Sequence, residues 1–468
     1  MSVPDFYSKL NDRIDTLSEP EQHANLRIGL LVPAAVLSPD PRNTLVTLVE
    51  RTEAIVRVLV AQDERDYLNE LLVAEMIRVE HHFGKDLLGD MVIEKKLEQI
   101  QNDDDRQEGY FLLAKSSASK GDRVRALSCA ETLDDLYSFE AILRLLIISE
   151  QQNSPEETLD GELVEQIESD DGRFRLACAL AELFCHRDRL ENVEKELAKA
   201  KAIFDTIVDP SHRDRLLGDL FTLKLPIALL DSFVPFLTSI PTRCRTLEAH
   251  SRVVSNDAPR CLEILRAICD DKTRDRQDAD TASTAAALAY RAKDQRIGRD
   301  WTRVALGKIS ENENPTARAA LYRALLKTLY AANENKAASR ISELLAVTSD
   351  QVEPDDLREI EWRENLTLWS LRREEKLLAK YLERIPQSER ITVTVIGQLS
   401  QGSEPEQAWF DNITLPLWGD NSPEESCSAL VKIERLRAQA RLENRGSHSI
   451  MKGSVVPLFF EPQLFSYS

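Results

Sequence analysis

The feature that most constrains this fold is a loose internal period. Short acidic or proline-containing breaks follow apolar helical stretches at Asp134-Asp135, Asp170-Asp171, Asp209-Pro210, Ile240-Pro241, Asp270-Asp271, Glu311-Asn312, Ser349-Asp350 and Ile385-Pro386. Their mean spacing is about 36 residues, the range of helical solenoids. Two helices of roughly 14 residues and two turns fill that length. Between breaks the apolar residues recur with helical period: Phe174, Ala177, Cys178, Ala181 and Phe184; Leu321, Ala324, Leu325 and Leu329; Leu378, Tyr381, Leu382 and Ile385. Each helix thus has an apolar stripe to bury and a charged face to expose. One hairpin cannot bury its stripe alone, whereas stacked hairpins can.

Composition points the same way. Leu, Ala, Glu and Arg are abundant, and all are good helix formers. With 15 glycines and 6% aromatics, the chain is poor in what a sandwich or a doubly wound α/β sheet needs. The expected fold is all-α: an α-solenoid of stacked helical hairpins with an N-terminal helical capping domain. Mid-block turns are expected at Gly121-Asp122, Arg187-Asp188, Asn256-Asp257, Lys293-Asp294 and Asn333-Glu334-Asn335, because glycine, asparagine and aspartate suit helix ends and caps.

From Arg106 the chain reads R-Q-E-G-Y-F-L-L-A-K-S-S-A-S-K-G-D-R-V-R-A-L-S-C-A-E-T-L-D-D, then L-Y-S-F-E-A-I-L-R-L-L. This resembles degenerate bacterial tetratricopeptide-like repeats: a small-residue helix, Gly-Asp, then A-L-x-x-A-E. The matching residues are Ala114, Ala118, Gly121, Asp122, Ala126, Leu127, Ala130 and Glu131. The resemblance implies a right-handed solenoid with a concave groove, and it implies no substrate.

Residues 1–104 do not keep the period and read as a capping domain of longer helices, one near Arg42–Gln62 and one near Glu64–Phe83. The repeats occupy 105–386. Residues 387–445 form an irregular segment and a charged helix. Within them Ile391–Ile396 is β-branched throughout and reads equally as a strand or a buried helix. Residues 446–468 form an apolar, aromatic tail containing Pro457 and Pro462.

The formal net charge is −20. An acidic surface repels phosphate backbones and anionic membranes, so nucleic acid is disfavoured and a basic or mixed-charge protein partner fits. The N-terminus lacks a basic n-region and an apolar h-region. The longest apolar stretch, Ile28 to Leu37, contains Pro33 and is too short to span a bilayer. The seven cysteines, Cys129, Cys178, Cys185, Cys244, Cys261, Cys269 and Cys427, are scattered and form no C-x-x-C. They read as small hydrophobes in a reducing cytoplasm.

Chemistry-bearing constellations are few. His81-His82 with Glu75 and Glu80 is the one dense His/carboxylate cluster, but its spacing is neither H-E-x-x-H nor E-x-x-H. It reads as a solvated helix end before Gly84. Cys185 and His186 are adjacent, and side chains at i, i+1 diverge on a helix. There is no phosphate-binding glycine loop and no G-x-S-x-G elbow. Arg-x-Arg pairs recur near block starts: Arg173/Arg175, Arg213/Arg215, Arg243/Arg245 and Arg274/Arg276. They suit either inter-repeat pairing to preceding carboxylates and helix ends or a ladder for an anionic ligand; acidic residues beside three pairs favour the first.

No catalytic, cofactor or metal residue is therefore expected. The expected function is a non-enzymatic, cytoplasmic protein–protein scaffold or adaptor. Other readings are a regulatory subunit or protease-regulated substrate that releases its C-terminal segment, cleaved within Arg445–Ser454, and a hydrolase on a helical scaffold. Phe459, Phe460, Phe465 and Tyr467 are the expected partner-binding residues, because so many exposed aromatics need something to dock on. A fold-back cap on the open end of the solenoid is the other role for this tail.

Overall fold

The computed structural model describes residues 3–84, 87–88, 93–153, 161–331, 334–372, 374–400, 405–419 and 422–446. Among the described residues every regular element is helical and none is a strand. The chain divides into two compact units: Met1–Ser149 together with Leu366–Ser468, and Glu150–Asn365. The sequence breaks at 104, 386 and 445 do not mark this division. The helix Asp355–Arg372 carries the chain from one unit to the other.

The unit Glu150–Asn365 is a run of antiparallel hairpins. Helix Asp170–His186 pairs with Leu190–Thr206, Ala279–Arg291 with Gln295–Ser310, and Pro315–Ala331 with Asn335–Ser349. Between them, Pro210–Phe221 is followed by two 3-10 turns, and Ile240–Val253 packs on Ala258–Arg266. First helices pack on first helices along the run, from Asp170–His186 through Pro210–Phe221, Ile240–Val253 and Ala279–Arg291 to Pro315–Ala331. Their apolar stripes are buried as the period requires: Phe174, Ala177, Cys178, Ala181 and Phe184 are all inside. The rings of Phe174, Phe204 and Phe233 meet at 5.7–6.5 Å between centroids.

The breaks act by helix capping. Ser169, Asp209 and Ser239 accept bonds from backbone N–H groups two or three residues on, and Pro210 and Pro241 sit in the first turns, where a missing N–H is harmless. Asp270 forms a reciprocal capping box with Thr273, but around a short turn, Asp271–Arg274; the next long helix begins at Ala279, capped by Asp278. Four of the five expected mid-block turns share one geometry, which recurs at Glu374. The N–H of Asp122, Arg189, Asp294, Glu334 and Glu374 donates to the carbonyl five residues earlier, at 2.9–3.0 Å. Gly121, Asp188 and Lys293 precede three of these and stand at φ 74°, 55° and 61°. This is the left-handed helix stop that glycine favours. At Asn256-Asp257 the chain instead makes a 3-10 turn, Ser255–Asp257.

Two successive hairpins repeat one contact at an offset of 40 positions. Tyr290 bonds Thr302 at 3.1 Å in one, and Tyr330 bonds Ser342 at 3.2 Å in the next. Both pairs are buried and link the two helices of their hairpin.

In the unit formed by the two chain ends, helices Pro41–Val56 and Gln62–Phe83 match the long helices expected there. The charged C-terminal helix, Pro423–Gly446, is not a solvated arm. It packs on Val3–Ile14, Leu31–Leu37, Gln387–Leu399 and Gln407–Trp418. Tyr7 donates to Glu434 at 3.2 Å, and Arg437 donates to Glu434 at 2.6 Å and to Gln407 at 2.8 Å while covering the Phe410 ring at 4.0 Å. Arg13 reaches the Trp418 carbonyl at 2.5 Å, and Phe6 meets the Trp418 ring edge-on at 5.5 Å. Ile391–Ile396 is helical, within Gln387–Leu399. Ile391, Val393, Val395 and Ile396 are buried, Ser370 donates to the Val393 carbonyl at 2.7 Å, and burial on several sides overrides β-propensity.

Candidate functional site

The histidine–carboxylate cluster at the end of helix Gln62–Phe83 is the first place to look for chemistry. Its carboxylates are turned toward guanidinium groups. Glu75 accepts from Arg78 at 2.7 Å and from Arg435 at 3.1 Å, and Glu80 is ion-paired with Arg125, which also binds Glu94 at 2.6 Å. Lys120 donates to the Glu80 carbonyl at 2.7 Å. His81 Nδ1 lies 3.0 Å from the Ser116 hydroxyl. Burial pushes His81 down to about 4, helped by the charges of Lys120 and His82. The ring is therefore neutral at physiological pH, set among cations rather than acids. Among the described residues no three metal-type side chains converge. The helix end is thus partly buried under the hairpin 103–130, not solvated as its sequence suggested.

The cysteines are apolar filling. Cys129, Cys178, Cys244, Cys261 and Cys427 are buried, Cys185 and Cys269 partly so, and all seven are free thiols. Burial pushes Cys244 and Cys261 up to about 12 and raises Cys178 further. A thiol held in that range is a poor nucleophile. Cys185 is also raised, by burial and by Asp188 and Glu182.

The Arg-x-Arg pairs resolve into two structural jobs. The first arginine stands four residues after the helix cap and reaches back to a carbonyl that ends the preceding segment. Arg173 donates to Ile167 O at 2.9 Å, Arg243 to Leu237 O at 2.7 Å and Arg213 to Asp205 O at 3.4 Å. The same clasp recurs outside the pairs: Arg106 to Ile100 O at 3.1 Å, Arg318 to Asn312 O at 3.2 Å and Arg390 to Ile385 O at 2.9 Å. Arg243 is buried and also donates to Ile264 O at 3.2 Å. The second arginine joins neighbouring first helices, Arg175 with Asp219 at 2.8 Å and Arg215 with Asp171 at 2.6 Å. Arg274, by contrast, pairs with Asp271 at 3.1 Å. Inter-repeat pairing and loop closure thus account for the ladder positions the structure joins.

No family model and no curated protein matches this chain. Among solved structures, one described as a "circular tandem repeat protein with novel repeat topology and enhanced subunit contact surfaces" aligns over 91% of this chain and 100% of its own, at 16% identity and a TM-score of 0.19. A likeness at that score assigns neither fold nor function, and the architecture rests on the hairpins themselves.

Phe459, Phe460, Phe465 and Tyr467 lie outside the described residues. Among the described residues no helix is long and apolar enough to cross a membrane. The sequence reading gave the reach-back of the paired arginines but not its recurrence outside the pairs, and it missed a buried histidine. The arginine clasp was visible as a capping residue with arginine four positions later, at Asn102/Arg106, Ser169/Arg173, Asp209/Arg213, Ser239/Arg243 and Asn314/Arg318. The buried His250 was not: its Nδ1 faces the Phe221 carbonyl at 3.1 Å and its Nε2 faces Asp257 at 3.0 Å, tying two helices to the 3-10 turn.

Proposed function

We propose that this chain is a non-enzymatic scaffold or adaptor that holds partner proteins on its stacked hairpins. The observation that carries this reading is the fate of its conspicuous polar chemistry. The histidines, carboxylates and paired arginines that could form a reactive or anion-binding site are spent on clasps between helices, while second helices such as Gln295–Ser310 and Asn335–Ser349 keep broad exposed faces. Helical hairpin arrays expose large continuous surfaces suited to protein segments. Buried, free thiols suit a reducing cytoplasm.

The aromatic tail residues Phe459, Phe460, Phe465 and Tyr467 belong to the same reading as a partner-contacting element. Affinity capture with the full chain and with a form lacking residues 447–468 tests it, alongside thermal melting. Loss of specific partners at unchanged melting temperature supports the tail as a partner element. Lower melting with partners retained assigns it to capping. Failure of the full chain to retain any specific protein overturns the scaffold reading.

A further inference from the structure

Helix Gln295–Ser310 presents Arg296, Arg299 and Arg303 on its exposed side. At 100° and 1.5 Å per residue the three fall within about 60° of arc and about 10 Å of axis. Arg303 stands 3.5 Å from Asp300, which also lies 3.8 Å from Arg274. Arg296 and Arg299 have no carboxylate partner among the described residues, and neither has the neighbouring exposed Lys293. Such a group is out of character for the chain, in which 80 acidic residues face 60 basic ones. Elsewhere in the same unit, arginines of the first helices meet carboxylates: Arg175 with Asp219, Arg215 with Asp171 and Arg291 with Glu248.

Gly307 extends the same stripe. It is exposed inside the helix, and a Cβ there would meet nothing within 4 Å. Glycine weakens a helix interior relative to alanine, so the helix bears that loss with no internal packing reason. A bare backbone beside three arginines lets another chain approach closely.

We infer that the Arg296–Arg299–Arg303 stripe, with Gly307 at its end, docks an acidic helical segment of a partner protein, carrying carboxylates at i, i+3 and i+7. Guanidinium groups bind carboxylates in a bidentate fork, and the matching period lets three pairs form on one face. A phosphate backbone fits less well, because the net charge of −20 repels a long polyanion beyond the 10 Å stripe. This inference rests on the scaffold reading and names the chemistry of one of its partners.

The test uses the full chain and a fluorescein-labelled, alanine-based helical peptide with glutamates at i, i+3 and i+7. Anisotropy titrations are run over a salt series, with a single-stranded oligonucleotide of equal charge as competitor. The expected result is saturable binding that weakens with salt and falls at least tenfold in Arg296→Glu/Arg299→Glu/Arg303→Glu, while the reversal Arg42→Glu, at an exposed site in the other unit, changes nothing. The triple variant should bind the lysine counterpart of the peptide instead. Gly307→Leu should weaken binding, whereas Gly218→Ala, at another helical glycine with no close neighbour, should not. Equal binding by wild type and triple variant, absence of binding by wild type, or full displacement by the oligonucleotide each overturns the inference. Capture of specific proteins by wild type and triple variant alike leaves the scaffold reading standing while this stripe fails.

Discussion

Replacing Arg243 with alanine should be among the most damaging single changes in this protein. The side chain is buried and supplies three donors: Nε and Nη2 to the Leu237 carbonyl and Nη1 to the Ile264 carbonyl. Truncation removes charge-assisted hydrogen bonds worth about 1.5–3 kcal/mol each and leaves two buried carbonyls short of a donor. Part of that gain is already offset, because burial lowers Arg243 below the usual arginine value and so disfavours its charge. The net loss should be about 3–5 kcal/mol. Arg243→Lys keeps the charge but not the fork, and should lose about 1–3 kcal/mol. Arg318→Ala, at the half-exposed version of the same clasp, should lose only about 1 kcal/mol. Urea unfolding followed at 222 nm ranks the three. With a slope of about 2–3 kcal/mol per molar, the Arg243→Ala midpoint should fall by about 1–2 M. If Arg243→Ala unfolds within about 1 kcal/mol of wild type, or no earlier than Arg318→Ala, the clasp is incidental and the reasoning fails.

Gly298→Ala should destabilise by about 1–3 kcal/mol, since the new Cβ would press into the Tyr290 ring, with the nearest atoms at 2.5–2.8 Å; an unchanged melting temperature would show that the ring gives way. Lys293→Gly should stabilise by up to about 1 kcal/mol, because it relieves a side chain at φ 61°; a lower melting temperature would contradict this. His81, at about 4 when folded against its ordinary 6.5, stays neutral while the unfolded chain takes up a proton. Its contribution is present above pH 6.5 and lost as pH falls toward 4, on the order of 1–2 kcal/mol after allowance for partial exposure. Unfolding midpoints of wild type and His81→Gln between pH 7 and pH 4 should converge in acid; parallel curves would remove the histidine from the account.

What could be read from the sequence was what local physics decides. Asp170-Asp171, Asp209-Pro210 and Ile240-Pro241 announce helix starts, because a helix start depends only on its own next few residues. Gly121 announces a stop for the same reason. Asp188 and Lys293 do the same job without a glycine, so their left-handed turns were read only from position. The pairing of Tyr7 with Glu434 and of Arg13 with Trp418 spans more than 400 residues. No local pattern encodes it, and a helix rich in Glu and Arg looks solvated until its neighbours are known. The same blindness left Ile391–Ile396 open between strand and helix. As for the candidate site, the spacing of His81-His82 ruled against a metal motif, but the arginines that claim its carboxylates come from elements far along the chain.

Because one unit is built from two segments far apart in the chain, the order of synthesis matters. Val32, Val36 and Leu37 leave the ribosome about 400 residues before the Ala438 and Leu442 that cover them. At about 5–20 residues per second the intervening stretch takes roughly 20–80 s to translate. Within that interval the unit Glu150–Asn365 is completed as a compact body of its own, while the early helices keep an apolar face open to water. A nascent chain stalled between Asn365 and Pro423 should therefore be a chaperone client through its first helices, with the later hairpins already protected.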